Sequence, residues 1–296
     1  MKLLLTGKNG QVGFELQRAL APLGEVVAVD QAECDLANPD AIRQLVDDVR
    51  PDVIVNPAAY TAVDKAETEQ ELAHAINARA PGIFGELAKK SGALVIHYST
   101  DYVFDGKKAD AYCESDAPNP QSIYGKTKLE GEQALLASGA ATLIFRTSWV
   151  VGAHGNNFAK TILRLAAERE QLSVVADQWG APTSAALLAD VTAQIIARYQ
   201  QEEVSHFPLG LYHVVASGLT NWNAYARYIA QTALKAGKQL KLLPEAIKEI
   251  TTAEYPLPAK RPANSQLNSS HFQKTFGLCL PRWEQGLDHI LQQILK

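Results

Sequence analysis

Apolar positions along this chain fall into two rhythms. Short runs of strand length occur at Lys2 to Thr6, Glu25 to Val29, Asp52 to Val55, Ala93 to Tyr98 and Ala141 to Thr147. Between them, apolar residues return every three or four positions, as on one face of a helix. Val12, Leu16, Ala19 and Leu20 define the first such face, Asp40 to Val49 the second, and a long helical segment interrupted near Pro81 is predicted from about Val63 to Lys90. Cys113 to Ile123, rich in Pro, Asn and Ser, reads as a loop, and a helix opens at Tyr124. Further on, helices are predicted from Asn156, over Leu187 to Tyr199, where the chain returns to the sheet, and over Trp222 to Ala236, with a short strand at Leu211 to Val215. Strand and helix alternate, which predicts an α/β fold: a Rossmann-like, doubly wound parallel sheet with a smaller C-terminal lobe.

Composition narrows the class of protein. The 296 residues are long enough to bury a sizeable core, and 47% hydrophobic with 20% charged residues is ordinary for a globular chain. A net charge of -4 argues against nucleic acid or an anionic membrane as the main partner. No apolar run has the length of a membrane span, and the run at Leu3 to Leu5 is too short for a signal peptide. Cys34, Cys113 and Cys279 form no CxxC and leave an odd thiol, so a reduced, cytoplasmic protein is expected.

The first strand runs directly into Gly7-Lys8-Asn9-Gly10-Gln11-Val12-Gly13, and a helix follows. Strand, glycine-rich turn and helix is the context of a dinucleotide site, because glycines let the backbone approach a pyrophosphate whose charge sits at the helix N-terminus. The second strand ends in Asp30, whose carboxylate can accept hydrogen bonds from the adenosine ribose hydroxyls. Asp30 favours NADH by repelling a 2′-phosphate, whereas Lys8 offers partial neutralisation, so NADPH and NADH both stay open. Asp35-Leu36 is a candidate adenine contact, with a helix-capping acid as the equal alternative. Ala58, Ala59, Tyr60 and Thr61 follow the third strand, where small residues would let a nicotinamide ribose lie close. Asn77 reads as a buried amide more readily than as part of a proton path.

Tyr124 and Lys128 lie one helical turn apart on one face. An ammonium group beside a phenol favours the phenolate and makes its proton easier to give up, which suits proton donation to a carbonyl being reduced. A solvated helix face carries the same spacing, so the pair gains meaning only from its surroundings. Thr100, at the end of the fourth strand, is the preferred hydroxyl for a substrate carbonyl, with Ser99 second.

With GxxGxxG, Ser99-Thr100-Asp101 and Tyr124-x-x-x-Lys128 in this order, the chain resembles an extended short-chain dehydrogenase/reductase. Tyr98 to Gly106, Phe145 to Val150, Gly155 to Phe158, Asp177 to Thr183 and Arg261 to Ser265 resemble more specifically the dTDP-4-dehydrorhamnose reductases, and the similarity runs essentially end to end. The resemblance implies NADPH- or NADH-dependent reduction of the C4 ketone of dTDP-4-dehydro-L-rhamnose, the last step in making activated rhamnose for bacterial surface polysaccharides. It implies Tyr124 as proton donor, Lys128 as the residue that lowers the tyrosine pKa and holds the ribose, and Thr100 as hydrogen-bond donor to the oxygen. Tyr98 joins the coenzyme set, and Asp101, Val103 and Trp149 the sugar set. It also implies a coenzyme domain over residues 1–150, completed by about 173–200, and a nucleotide-sugar lobe over 151–172 and 201–296. In that lobe Asn156, Asn157, Lys160 and Arg261 are candidates for the diphosphate, and Gln178 and Trp179 for the base, with Trp149 and Trp179 weighed evenly against ordinary packing.

Some members of the family are dimers joined through Mg²⁺ and carboxylates. Glu15 and Asp190 stand where such acids would lie, but Ala185-Ala186 occupies the place of an expected glutamate. A homodimer stays open, the metal bridge is in doubt, and no independent metal motif is present. Two other readings compete: an epimerase or dehydratase, which would want a glutamate where Tyr102 follows Asp101, and a partner-binding regulatory subunit of the methionine adenosyltransferase type.

Overall fold

A computed structural model describes residues 1–203 and 206–296. Six strands, β1 (Lys2–Leu5), β2 (Glu25–Ala28), β3 (Val53–Asn56), β4 (Leu94–Thr100), β5 (Ala141–Thr147) and β6 (Gly210–His213), form one sheet in the order β6-β5-β4-β3-β1-β2. Every neighbouring pair is parallel. A parallel sheet needs both faces covered. On one face, α1 (Gln11–Leu20) and the helix Ala185–Tyr199 bury Leu16, Leu20, Leu188 and Ile195 against Leu3, Leu5 and Ile96. On the other, α2 (Pro39–Val49), α3 (Ala80–Ser91) and α4 (Ile123–Ala137) bury Ile42, Phe84 and Leu135 against Leu4, Ile54 and Val95. The order reverses between β1 and β3, and that switch point opens the crevice where ligands of such sheets bind.

The remaining helices are α5 (Phe158–Glu168), α6 (Ala185–Tyr199), α7 (Trp222–Lys235), α8 (Ser270–Phe276) and α9 (Trp283–Ile294). α5, α7 and α9 enclose a second core around Ile162, Tyr225, Ile229 and Leu287, covered by the parallel pair Leu172–Val175 and Ile247–Ile250. This is the C-terminal lobe, but its sequence boundaries differ from those expected. Gly210–His213 lies within 201–296 yet pairs with β5 as an edge strand of the main sheet. Phe272 and Phe276 of α8 likewise pack into the main core. Apolar side chains there complete the sheet, so the chain crosses between the two cores more often than a linear division allows. Among the described residues no helix is long and apolar enough to cross a membrane.

The helical segment predicted from Val63 to Lys90 is interrupted near Pro81, as expected, and breaks a second time at residues 67–69. Helical turns at Val63–Ala66 and Gln70–His74 lead into a widened turn, Ala75–Arg79, and then α3. Pro81 has no N–H to offer the Asn77 carbonyl four residues back, so the distortion falls in the preceding turn. α4 packs closely on this bulge, where a Cβ at Gly131 would sit 2.1 Å from the Asn77 carbonyl oxygen. Asn77 is fully buried; its amide accepts from Tyr60 N at 2.8 Å and donates to Tyr60 O and Thr127 Oγ1. It is the buried amide expected, and it pins the segment after β3 to α4.

Candidate active site

The glycine loop is built for a close backbone approach. Gly7 has φ +61°, and a Cβ there would lie 3.0 Å from Ala58 Cα across the switch point. At Gly13 a Cβ would come within 1.9 Å of the Gly7 carbonyl oxygen, so α1 and its loop can close only on glycine. Asn9 N donates to Asp30 Oδ2 at 2.8 Å, which ties the loop to the end of β2. Lys8 Nζ pairs with Glu33 Oε1 at 2.6 Å, a partner that no local pattern singles out. These features fit a dinucleotide lying across the loop. Val12 packs partly into the sheet core. Gln11 turns towards the lobe, where its Oε1 accepts from Gly152 N at 2.8 Å and Asn157 Nδ2 at 2.9 Å. Asp35 accepts from Ala37 N at 2.9 Å in a local turn, while Asn38, rather than Asp35, caps α2. Leu36 packs against the second face of the sheet. Ala58, Ala59, Tyr60 and Thr61 form the opposite wall; the Tyr60 hydroxyl binds Glu69 Oε2 at 2.5 Å.

At the C-terminal end of β4 the sequence signals converge. Ser122 caps α4 through Gly125 N at 3.2 Å and sets Tyr124 and Lys128 in its opening turns. Thr100 ends β4; its hydroxyl donates to Asp101 Oδ1 at 3.0 Å and accepts from Tyr102 N at 3.2 Å. Burial pushes the Tyr124 phenol up to about 12, while the Thr100 hydroxyl pulls it back and the Asp101 carboxylate pushes it further up. A phenol in that range is protonated at neutrality, as a proton donor must be. Burial brings Lys128 down to about 8, partly offset by Glu132. Its ammonium donates to the Tyr98 carbonyl at 2.6 Å and lies 3.2 Å from His97 Nε2. Behind it, His97 Nδ1 meets Asn56 Nδ2 at 3.1 Å, and Thr6 Oγ1 donates to Asn56 Oδ1 at 2.6 Å. Burial, then the neighbouring Lys128 charge, holds His97 well below the usual imidazole range, so it is neutral. Burial, rather than the Lys128 charge expected to lower it, sets the position of the phenol.

Asp101 is buried, and burial raises its carboxyl to about 6; Oδ2 has no hydrogen-bond partner among the described residues. Ser99, the second choice, points to the other face of β4 and bonds Glu132, which also holds Arg146 through two contacts of 2.9 and 2.6 Å. That leaves Thr100 as the hydroxyl beside Tyr124.

A cavity of 1120 Å³ opens next to this cluster, roomy enough for a nucleotide sugar. Tyr102 lines it and meets the Tyr124 ring edge-on at 5.5 Å, so one wall of the cavity packs on the tyrosine. Arg261 lines it as expected, with Nη2 2.8 Å from Asp64 Oδ2 and Nη1 buried without a partner. Gln178 lines it too, accepting from Trp222 Nε1 at 3.1 Å and donating to Thr252 Oγ1 at 3.0 Å.

Several expected contacts fall elsewhere. Trp179 is 43% exposed and does not line the cavity; the indole on the wall is Trp222. Trp149 lies behind it, stacked at 3.8 Å, in a left-handed backbone conformation of φ 48°. Val103 is fully buried among Phe104, Tyr112, Val215 and Leu267, so its side chain is a packing residue. Tyr98 turns its ring into the sheet core, its hydroxyl 2.6 Å from Thr192 Oγ1, and offers the site only its carbonyl. Asn156 is exposed, Asn157 caps α5 and bonds Gln11, and Lys160 donates to Gly155 O at 2.8 Å. None of the three lines the cavity, so a diphosphate role for them has no geometric support. Tyr102, Phe158, Trp222, Tyr255 and Lys260 were not singled out as binding residues yet form the wall. Tyr102 was legible, because it follows Thr100-Asp101 directly; the others depend on distant packing.

Residues 1–296 match the family described as RmlD substrate binding domain. The dTDP-4-dehydrorhamnose reductase of Escherichia coli K12 is 50% identical over 299 residues, covering 99% of this chain and 98% of that protein. The chain belongs to the dTDP-4-dehydrorhamnose reductase family. Among solved structures, the reductase of Clostridium acetobutylicum is 37% identical with a TM-score of 0.90 over 100% of both chains. That of Bacillus anthracis, solved in complex with NADP, is 35% identical with a TM-score of 0.87 over 99% of both. Within this family frame the carboxylates Glu15 and Asp190 both face Arg18, at 3.4 and 2.9 Å. A bridging cation would have to displace that guanidinium, and no cluster of three metal-ligating side chains occurs among the described residues.

Proposed function

We propose that this chain reduces the C4 ketone of dTDP-4-dehydro-L-rhamnose to dTDP-L-rhamnose, with NADPH or NADH as reductant. The observation that carries this reading is the grouping of Thr100 with Tyr124, and of Lys128 one turn along the same helix, behind Tyr102, which lines a nucleotide-sugar-sized cavity. When bound, the nicotinamide supplies hydride. Tyr124 Oη gives its proton to the oxygen as negative charge develops there. Thr100 must turn its hydroxyl from Asp101 to donate to the same oxygen, which then counts for more in the transition state than in the ground state. Lys128, anchored on the Tyr98 carbonyl, holds positive charge near the reacting centre and bonds the nicotinamide ribose when the coenzyme is bound. Arg261 meets the diphosphate by exchanging Asp64 or by using its unpartnered Nη1. Tyr102 and Trp222 supply aromatic wall for base or sugar.

An epimerase or dehydratase needs further acid/base groups, and Tyr102 stands where the glutamate would be. A regulatory role would not require the intact donor set. We place the activity in the cytoplasm, a reading supported by three unpaired cysteines. The test is coenzyme oxidation with dTDP-4-dehydro-L-rhamnose generated in the same vessel, and the sugar product identified by mass and NMR. Turnover to dTDP-L-rhamnose supports the reading; tight coenzyme binding with no reduction of this ketone overturns it.

A further inference from the structure

The exposed edge of the coenzyme loop contains a charge arrangement that the reduction chemistry does not use. Lys8 Nζ is 2.6 Å from Glu33 Oε1, and Glu33 Oε2 accepts from the Asp30 backbone N–H at 2.8 Å. Asp30 in turn accepts from Asn9 N and Gln31 N, both at 2.8 Å. Lys8 N also donates to Val29 O at 3.2 Å, so Lys8 and Glu33 flank the carboxylate at the end of β2. In a Rossmann-like sheet that carboxylate reads the adenosine ribose.

Resting on the coenzyme reading above, we propose that Glu33 is a specificity-determining residue: by holding Lys8 it withholds a cation beside the end of β2 from a 2′-phosphate, and so tilts the site towards NADH.

The argument is a charge balance. Asp30, Glu33 and Lys8 together carry one net negative charge. A 2′-hydroxyl needs only an acceptor here, and two carboxylates offer one. A 2′-phosphate brings a charge of about −1.5 to −2 at neutral pH and meets two carboxylates unless Lys8 leaves Glu33. The pair is not locked: the side chains are 26% and 46% exposed, so Lys8 can change partners at little cost once its carboxylate is gone. Removing the charge of Glu33 therefore both frees a cation and removes a repulsion, and each effect acts on the phosphate alone.

The decisive measurement is calorimetric titration of the purified chain with NADPH and NADH, in wild type, Glu33→Gln, Lys8→Met and the double variant. Glutamine preserves an acceptor for Asp30 N, so the loop keeps its anchor. Wild type is expected to bind NADH at least as tightly as NADPH. Glu33→Gln should tighten NADPH by about fivefold to tenfold and change NADH by less than about twofold. Lys8→Met in the Glu33→Gln background should cancel that gain, and added salt should shrink it. Equal changes for the two coenzymes, or a gain that survives loss of Lys8, would overturn the proposal. Because no sugar is present, a selectivity shift upholds this inference even if the sugar assay fails. If neither coenzyme binds wild type, the coenzyme reading and this inference fall together.

Discussion

The two ends of the coenzyme crevice handle charge in opposite ways. At the end of β4, Lys128, His97, Asp101 and Glu132 are all less than about a twentieth exposed, and each is fixed by named partners. At the end of β2, Lys8 and Asp30 are half-buried and Glu33 is exposed, and they share contacts that can be exchanged. Low dielectric at the first end brings Lys128 down to about 8 and Asp101 up to about 6, both towards working pH, and keeps His97 neutral. At the second, water screens the charges, so a single residue changes affinity rather than chemistry. Reaction and selectivity are thus divided between a buried interior held by named partners and an edge whose contacts exchange with solvent.

Tyr124→Phe probes the interior most sharply. Turnover should fall by about two to four orders of magnitude while coenzyme affinity stays near wild type, because only the proton donor is lost. Steady-state rates alongside coenzyme titration decide it, and a variant with wild-type kcat would remove Tyr124 from the reaction. Glu132→Ala attacks the same interior through its support. It leaves Arg146 buried without a counter-charge and removes the partner of Ser99. Breaking such a pair should cost about 3 to 5 kcal/mol of stability, read as a lower melting temperature. An unchanged melting temperature would mean that the pair adds nothing to the fold.

pH separates the two ends without mutation. Lys128 has a folded pKa of about 8, below its usual value, so its positive charge is present below that pH and lost above it. Tyr124, at about 12, stays protonated through the same window. The reduction rate with saturating substrates should therefore fall as pH rises through about 8. A rate flat across that window would show that the lysine charge is not needed. Arg261→Ala has the smallest expected effect of the series, a rise of about tenfold in KM for the nucleotide sugar with little change in kcat. An unchanged KM would take Arg261 out of the binding site.

Much of this architecture was legible from local pattern. Five short apolar runs became strands β1 to β5 within one or two residues, because a strand buried on both faces must be apolar throughout. The glycine loop was legible because Gly7 and Gly13 admit no side chain, and Asp30 because it ends a strand beside that loop. Tyr124 and Lys128 share a helix, and Thr100 ends the strand beside them, so their meeting needed only short-range geometry.

The lobe was less legible. Of three tryptophans, the candidates Trp149 and Trp179 lie behind the aromatic wall and outside it, while Trp222, singled out only as the start of a helix, lies on it. Tyr98 and Val103 flank Thr100 in a stretch that looks uniformly functional, but the Tyr98 ring packs into the sheet core against Phe145 and the turn after β4 buries Val103. The return of Gly210–His213 to β5 and the contact of Asn157 with Gln11 link residues far apart in the chain.

The sequence by itself determined the order of strands and helices, the dinucleotide loop and the donor pair, since each depends on residues within about one helical turn or one strand–turn–helix unit. Only the tertiary structure decided which aromatic faces the cavity, which carboxylate holds Lys8 and which polar residues support Lys128. Those outcomes depend on side chains brought together by packing two cores, and no periodicity along the chain records which face a distant segment will cover.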